Sequence, residues 1–179
     1  ETHIADEPTD ARWFSDETFC GGVEAGGGDG AFAVKLHDTC FDTSFRAIKS
    51  YFVFGNAIVC LGSAIACQDH EHPVQTTLFQ AYLPQPDRPM HVDGAAVTDL
   101  PFEQAIGDRG PATVLDPYGN GYVLPAGQAA RLARQHQTSR NAANTRDTEG
   151  DVAVGWIDHG PAPADAGYEY AMLVQTTAD

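Results

Sequence analysis

Hydrophobic runs in this chain are short, and turn residues separate them. Residues 51–54 and 57–62 are apolar and flank Gly55 and Asn56, a pair that favours a two-residue β-hairpin turn with glycine first. Both arms are apolar at successive positions, so we expect both faces of these strands to be covered by packed layers. The residues predicted to be among the most buried are therefore Phe52, Phe54, Ile58, Val59 and Leu61.

Further strand-like runs follow the same rhythm along the chain. A second hairpin is predicted over 112–124, with its turn at 116–120. The other strand candidates are 30–36, 75–82, 152–157 and 168–174, whereas the polar residues 139–150 are typical of a loop. Many short strands between turn clusters indicate an all-β protein built as an antiparallel β-sandwich.

Two segments depart from this rhythm. Residues 1–29 hold eight of the acidic residues and a cluster of glycines, which predicts an irregular acidic and glycine-rich segment before a sandwich domain over 30–179. Residues 127–137 are rich in alanine, leucine, arginine and glutamine, so their intrinsic propensity favours helix. Propensity alone leaves the conformation of that segment open.

Charge excludes several classes of partner. The chain of 179 residues has 10 basic and 25 acidic side chains, a formal net charge of −15. Nucleic-acid binding depends on basic residues that neutralise phosphates, and Lys35 and Lys49 are the only lysines. We therefore expect neither a nucleic-acid partner nor an anionic membrane partner, and no apolar run approaches the roughly 20 residues of a membrane-spanning helix.

One histidine cluster has the composition of a metal site. His70 and His72 follow Asp69, and a His-x-His pair on a strand places both imidazoles on one face, as cupin-like metal sites do. The cluster precedes Pro73 in a loop-like stretch, and no third ligand motif lies close to it in the sequence. The pattern therefore favours a solvated acidic loop, and no metal-ligating residue is assigned.

A second candidate lies in the segment whose conformation is open. If extended, it places Arg134 and His136 on one face and Gln135 and Gln137 on the other. Glutamine and histidine that neutralise a uronate carboxylate, together with a tyrosine that moves the proton, are what β-elimination on a uronic acid needs. A structural role for these residues is the alternative.

Several blocks together resemble one family. The chain is similar to the central β-sandwich of the family 8 polysaccharide lyases, which include chondroitin, hyaluronate and xanthan lyases, and is most similar to their chondroitin ABC branch. The similarity runs from about residue 20 to residue 175. The blocks that carry it are 49–52, 58–65, 74–80, 119–122, 134–137, 148–150, 156–159 and 168–170.

The resemblance implies more than the pattern does. It implies a sandwich of the supersandwich type within a larger multidomain lyase, and a strand at 127–137. It also implies β-elimination on chondroitin- or hyaluronan-class glycosaminoglycans, with the main catalytic residues on an α/α toroid that precedes the sandwich. Glu24 is then the candidate for a supporting catalytic carboxylate, and Arg134 and His136 are the candidates for binding the anionic substrate.

Other expectations rest on the same resemblance. The toroid is the expected partner domain, and the 179-residue chain alone is expected to be inactive and truncated at its C-terminus. The enzyme is expected to be secreted or periplasmic, with no cofactor assigned and a divalent cation such as calcium allowed for. The alternatives are a self-sufficient small jelly-roll lyase and a non-catalytic carbohydrate-binding module, although a charge of −15 opposes autonomous binding of an anionic glycan. The third alternative is a cupin-type metalloprotein that would use His70 and His72.

Overall fold

A computed structural model of the protein describes residues 15–141, 143 and 145–177. Within these residues all regular structure is β, and no helix could cross a membrane. The strands are β1 (Cys20–Gly26), β2 (Asp29–His37), β3 (Arg46–Phe54), β4 (Ala57–Ala66), β5 (Pro73–Tyr82), β6 (Met90–Val92), β7 (Ala95–Val97), β8 (Phe102–Ile106), β9 (Ala112–Leu115), β10 (Gly121–Leu124), β11 (Ala130–Arg140), β12 (Asp147–Pro161) and β13 (Ala166–Leu173).

The strands form two antiparallel sheets that pack as a sandwich, which confirms the predicted fold class. The larger sheet has nine strands in the order β1-β2-β3-β4-β13-β10-β9-β6-β7, and the smaller has four in the order β5-β12-β11-β8. Inward-facing side chains of both sheets build the core, where the ring centroids of Phe79 and Tyr122 are 5.2 Å apart. Leu124 and Leu132 are fully buried there.

Both predicted hairpins are present. Gly55 has a φ of 59°, a left-handed conformation that glycine adopts without steric cost, and it joins β3 to β4. In the second hairpin the carboxylate of Asp116 accepts hydrogen bonds from the backbone N–H groups of Tyr118 and Asn120 at 2.7 and 3.0 Å. These local bonds replace ladder bonds in the turn and fix its conformation.

The segment before residue 30 differs from the expectation of an irregular chain. Residues 20–26 form β1, which pairs with β2 from Cys20 opposite Val34 to Glu24 opposite Gly30. Every side chain of β1 is exposed, so no hydrophobic pattern marked the strand, and it is held through its backbone instead. Residues 1–14 lie outside the described part, and the domain boundary at residue 30 stays a prediction.

The prediction that the first hairpin is covered on both faces is wrong for the described residues. Cys60 of β4 is buried against the smaller sheet, whereas Phe54 is 57% exposed. Phe52, Val59 and Leu61 point to the opposite, outer face of the larger sheet and are only half-buried. The continuous apolar pattern of β3 and β4 therefore reflects apolar side chains on both faces of the hairpin, and the smaller sheet covers only one of these faces.

The segment with helical propensity is extended, as the resemblance implied. It lies in β11, which pairs with β12 from Ala130 opposite Ile157 to Arg140 opposite Asp147. Because β11 is hydrogen-bonded to β12 on one side and to β8 on the other, its backbone pairing outweighs its propensity for helix. Of residues 139–150, predicted as a loop, 139–140 and 147–150 belong to the two arms of this hairpin, and the described residues 141, 143, 145 and 146 lie in the connection between them.

Candidate functional site

The larger sheet presents an open face beside the smaller sheet. Four strands cannot cover nine, and β1 lies at the free edge with all its side chains exposed. In the β1–β2–β3 register, Glu24 aligns with Gly30 and Val53, Phe32 with Tyr51, and Val34 with Lys49. Because strand side chains alternate between faces, the following residues share one face, called here the open face: Glu24, Phe32, Lys49 and Tyr51.

Aromatic and cationic side chains lie next to each other on the open face. The rings of Phe32 and Tyr51 are stacked, with centroids 6.3 Å apart and planes at 27°, and Phe32 is 43% exposed. Within the described part of the chain, no carboxylate lies within ion-pair distance of Lys49. This combination suits a sugar ring that carries a negative charge.

A buried polar cluster supports the open face from the sandwich interior. The hydroxyl groups of Tyr51 and Tyr168 lie close enough to influence each other, and Tyr170 lies beside the thiol of Cys60. The rings of Tyr168 and Tyr170 are stacked, with centroids 5.8 Å apart. Burial raises the pKa of all four of these groups, so they remain protonated near neutral pH. The cluster therefore positions Tyr51 without adding charge beneath it.

His159 belongs to the same interior region. Its Nε2 atom lies 2.9 Å from the hydroxyl oxygen of Thr76, and its ring is 6.0 Å from that of Tyr168. Burial lowers the pKa of His159, which keeps the imidazole neutral near pH 7. His159 is therefore a partly buried residue that is held by a hydrogen bond.

Glu24, the predicted catalytic carboxylate, is exposed on the open face. It is one strand and one row away from Phe32 in the ladder register. No hydrogen bond or ion pair joins the side chain of Glu24 to another described residue, and the residue is exposed, so its carboxylate is accessible to a ligand. Its assignment as a catalytic group stays a prediction.

Arg134, predicted to bind substrate, is placed where it cannot do so. Its side chain is fully buried, and its guanidinium donates to the carbonyl oxygens of Asp99 at 3.1 Å and Arg88 at 2.9 Å, and also to that of Pro86. Three backbone carbonyls satisfy the charged group inside the protein. Arg134 therefore fixes loops, and the sequence could not show this because the acceptors are main-chain atoms distant in the chain.

His136 lies on the same side of β11 but beyond the buried core. Its side chain is 55% exposed, and its Nδ1 atom is 3.0 Å from a carboxylate oxygen of Asp151, with Glu149 3.7 Å from Nε2. The hydrogen bond to Asp151 raises the pKa of His136, and the negative charges of Asp151 and Glu149 raise it further. The imidazole is thus held by two acids, and its role in substrate binding stays a prediction.

The histidine cluster at residues 69–72 forms a local turn. Asp69 accepts hydrogen bonds from the backbone N–H groups of Glu71 and His72, and its other oxygen lies 2.8 Å from Nδ1 of His72. His70 is exposed in the same turn. In the described ranges, no group of three or more histidine, cysteine or acidic side chains could hold a metal ion. The turn is therefore explained by its own hydrogen bonds.

Lys49, Phe32 and Tyr51 were not predicted as site residues. The alternation of Lys49 and Tyr51 along one strand places them on one side, and this signal was present in the sequence. The position of Phe32 opposite Tyr51 depends on the β2–β3 register, which a single sequence does not fix.

Comparison with known proteins assigns the family. Residues 2–179 match the model of the super-sandwich domain of polysaccharide lyase family 8. The chain belongs to polysaccharide lyase family 8. This confirms the resemblance seen in the sequence blocks.

The relatives are much longer than this chain. It is 37% identical to a chondroitin sulfate ABC exolyase of Proteus vulgaris over 80% of its own length and 14% of the relative. It is 36% identical to a chondroitin sulfate ABC exolyase of Bacteroides thetaiotaomicron, over 91% of the chain and 15% of that enzyme. The region that this chain matches is thus a minor part of those enzymes.

Solved structures agree with the fold. A chondroitinase AC lyase superposes with a TM-score of 0.73 at 30% identity, covering 89% of this chain and 23% of that one. A Paenibacillus xanthan lyase superposes with a TM-score of 0.80 at 23% identity, covering 96% of this chain and 18% of that one, which supports the fold alone.

Proposed function

We propose that this chain is the sandwich portion of a lyase that cleaves chondroitin- or hyaluronan-class glycosaminoglycans by β-elimination. The observation that carries the proposal is the 37% identity to a chondroitin sulfate ABC exolyase over 80% of the chain. The open face supports it, because stacked rings and a lysine that has no ion-pair partner among the described residues suit a sugar polymer with carboxylate groups.

The open face would form one wall of the substrate cleft. β-Elimination needs neutralisation of the uronate carboxylate, a base that removes the C5 proton and an acid at the leaving oxygen. Lys49 would bind a carboxylate or sulfate, the Phe32–Tyr51 pair would contact a sugar ring, and Glu24 would orient groups at the cleft. The base and acid would come from an α/α toroid outside these residues.

Location and partners follow from the substrate. Glycosaminoglycans are extracellular polymers, so we propose that the enzyme acts as a secreted or periplasmic protein. Its partners would be the anionic polysaccharide and the toroid domain. Nucleic acid and anionic membranes are opposed by the net charge of −15.

The test compares the two lysines of the chain in a polypeptide that also carries the upstream region. Lys49 lies on the open face, and Lys35, one residue beyond Val34 on β2, points to the opposite face and serves as the matched control. We expect Lys49→Gln to lower kcat/KM for unsaturated-product formation about tenfold, the effect of losing one charge-assisted contact, and Lys35→Gln to leave it unchanged.

The isolated chain gives the complementary measurement. It is expected to release no unsaturated product from chondroitin or hyaluronan, because under this proposal the base and the acid would belong to the toroid. Turnover by the 179-residue chain that is abolished by His136→Ala would instead support the small jelly-roll lyase.

A further inference from the structure

Two exposed tyrosines and an arginine meet at one end of the sandwich, away from the open face. Tyr82 ends β5 and is 57% exposed, and Tyr118 in the β9–β10 turn is 42% exposed. The hydroxyl of Tyr118 donates to the backbone carbonyl of Tyr82 at 2.7 Å. The guanidinium carbon of Arg88 lies 4.5 Å from the centroid of the Tyr118 ring, within cation–π distance.

The backbone beneath this cluster is held in place by buried groups. Arg134, which is fully buried, donates to the carbonyl oxygens of Pro86 and Arg88 and so fixes the loop that carries the Arg88 side chain. The ring of Tyr82 lies against Gly150, where an added Cβ would be 2.6 Å from a ring carbon. A ligand that binds here meets groups that are already ordered, which limits the entropic cost of binding.

Amide side chains continue the surface along the outer face of the smaller sheet. The side-chain N–H of Gln80 donates to the side-chain oxygen of Gln137 at 2.8 Å, across β12. Val152, which pairs with Tyr82, is buried below them. The remaining amide N–H groups and carbonyl oxygen of the pair can bond hydroxyl or acetamido groups.

Charge selects the kind of ligand. In the part of the chain that the structure describes, no carboxylate lies within ion-pair distance of Arg88, although the protein has 25 acidic and 10 basic residues. A guanidinium binds a carboxylate through two parallel hydrogen bonds, and tyrosine rings offer an apolar surface to the C–H groups of a pyranose.

We propose that Tyr82, Arg88 and Tyr118 form a second glycan-binding surface, called here the tyrosine–arginine surface, which binds a uronic-acid-containing segment of a polysaccharide outside the cleft. The choice of a uronic-acid-containing polysaccharide as the ligand rests on the proposed function. Arg88 binds the uronate carboxylate, the Tyr82 and Tyr118 rings contact sugar rings, and the Gln80–Gln137 pair bonds neighbouring hydroxyl groups.

The test is a titration of the 179-residue protein with a hyaluronan octasaccharide, followed by NMR chemical shifts. An ionic strength of about 0.15 M screens the repulsion between the net charge of −15 and the anionic ligand beyond about 8 Å. Hyaluronan has carboxylates and no sulfates, so it isolates the uronate contact. We expect Arg88→Gln to weaken binding about tenfold and Tyr82→Ala to weaken it several-fold. Arg131→Gln, an exposed arginine paired with Glu103 at 3.2 Å, is the matched control and is expected to leave binding unchanged.

The outcomes separate this inference from the proposed function. Loss of binding with Arg88→Gln and Tyr82→Ala, in variants whose melting temperature is unchanged, supports the tyrosine–arginine surface even if the lyase assay fails. Binding that Lys49→Gln abolishes and Arg88→Gln leaves intact overturns it while keeping the open face as a glycan contact. Absence of binding also overturns the tyrosine–arginine surface. Hydroxyl-radical footprinting of a longer polypeptide without glycan gives a further test: if another domain protects Tyr82, the surface is covered and the inference is wrong.

Discussion

The buried guanidinium of Arg134 donates a hydrogen bond of 2.9 Å to the backbone carbonyl of Arg88. The two arginines have opposite environments: Arg134 is fully buried, and the side chain of Arg88 lies on the surface over Tyr118. Arg134, which the sequence motif identified, is therefore a structural residue. Arg88, whose backbone Arg134 supports, has a side chain that is available to a ligand.

Replacing Arg134 tests this structural role. Arg134→Met keeps an unbranched side chain about as long as the aliphatic part of arginine but leaves the carbonyl groups of Pro86, Arg88 and Asp99 without their donor. We expect the free energy of unfolding to fall by about 3 kcal/mol or more, measured by urea denaturation. Arg131→Met on the same strand removes an exposed ion pair to Glu103 and should cost less than about 1 kcal/mol. Equal losses would contradict the structural assignment.

A glycine in β4 tests the packing beneath Tyr51. The ring of Tyr168 lies against Gly62, where an added Cβ would be 2.0 Å from a ring carbon. Gly62→Ala must displace a buried ring in the polar cluster, so we expect a loss of roughly 1–3 kcal/mol in thermal or chemical unfolding. Gly110, which has no atom within 4 Å of an added Cβ, is the control. Its alanine variant should change stability by less than about 0.5 kcal/mol.

The outer face of the larger sheet gives a further prediction. Phe54 is 57% exposed, whereas Leu124 has no exposed surface. Phe54→Ser should therefore change the free energy of unfolding by less than about 0.5 kcal/mol, while Leu124→Ala should cost about 2–5 kcal/mol. A loss of more than about 2 kcal/mol for Phe54→Ser would show that this phenylalanine is covered in solution. Analytical ultracentrifugation of the same variant would then show whether a second copy covers it.

The contrast between these residues shows what the sequence can predict. Turn residues and β-branched runs located the hairpin around Gly55, and the family resemblance correctly predicted a strand for β11 against its propensity. Burial could not be predicted in the same way, because the apolar pattern of β3 and β4 does not say which layer covers which face. Phe54 was misplaced for this reason.

The site shows the same limit. Glu24 was identified from a matched position, but β1 was missed because its exposed side chains have no hydrophobic periodicity. The placement of Phe32 and Lys49 on one face depends on the register of β2 and β3. The position of Arg88 depends on the hydrogen bond that its backbone carbonyl accepts from Arg134, which lies 46 positions away in the chain. Contacts of this range are set by tertiary packing, which local propensity does not report.

The last prediction concerns the ionisation of two histidines, which the structure shifts in opposite directions. The bond to Asp151 raises the pKa of His136 above its usual value of about 6.5, and burial lowers the pKa of His159 below it. Stabilisation by the protonated His136 pair should be fully present below about pH 6.5 and should be lost as pH rises through the raised pKa. An NMR titration should resolve both pKa values. Asp151→Asn should lower that of His136 and leave that of His159 unchanged, and a His136 pKa at or below 6.5 in the unsubstituted protein would contradict the pairing.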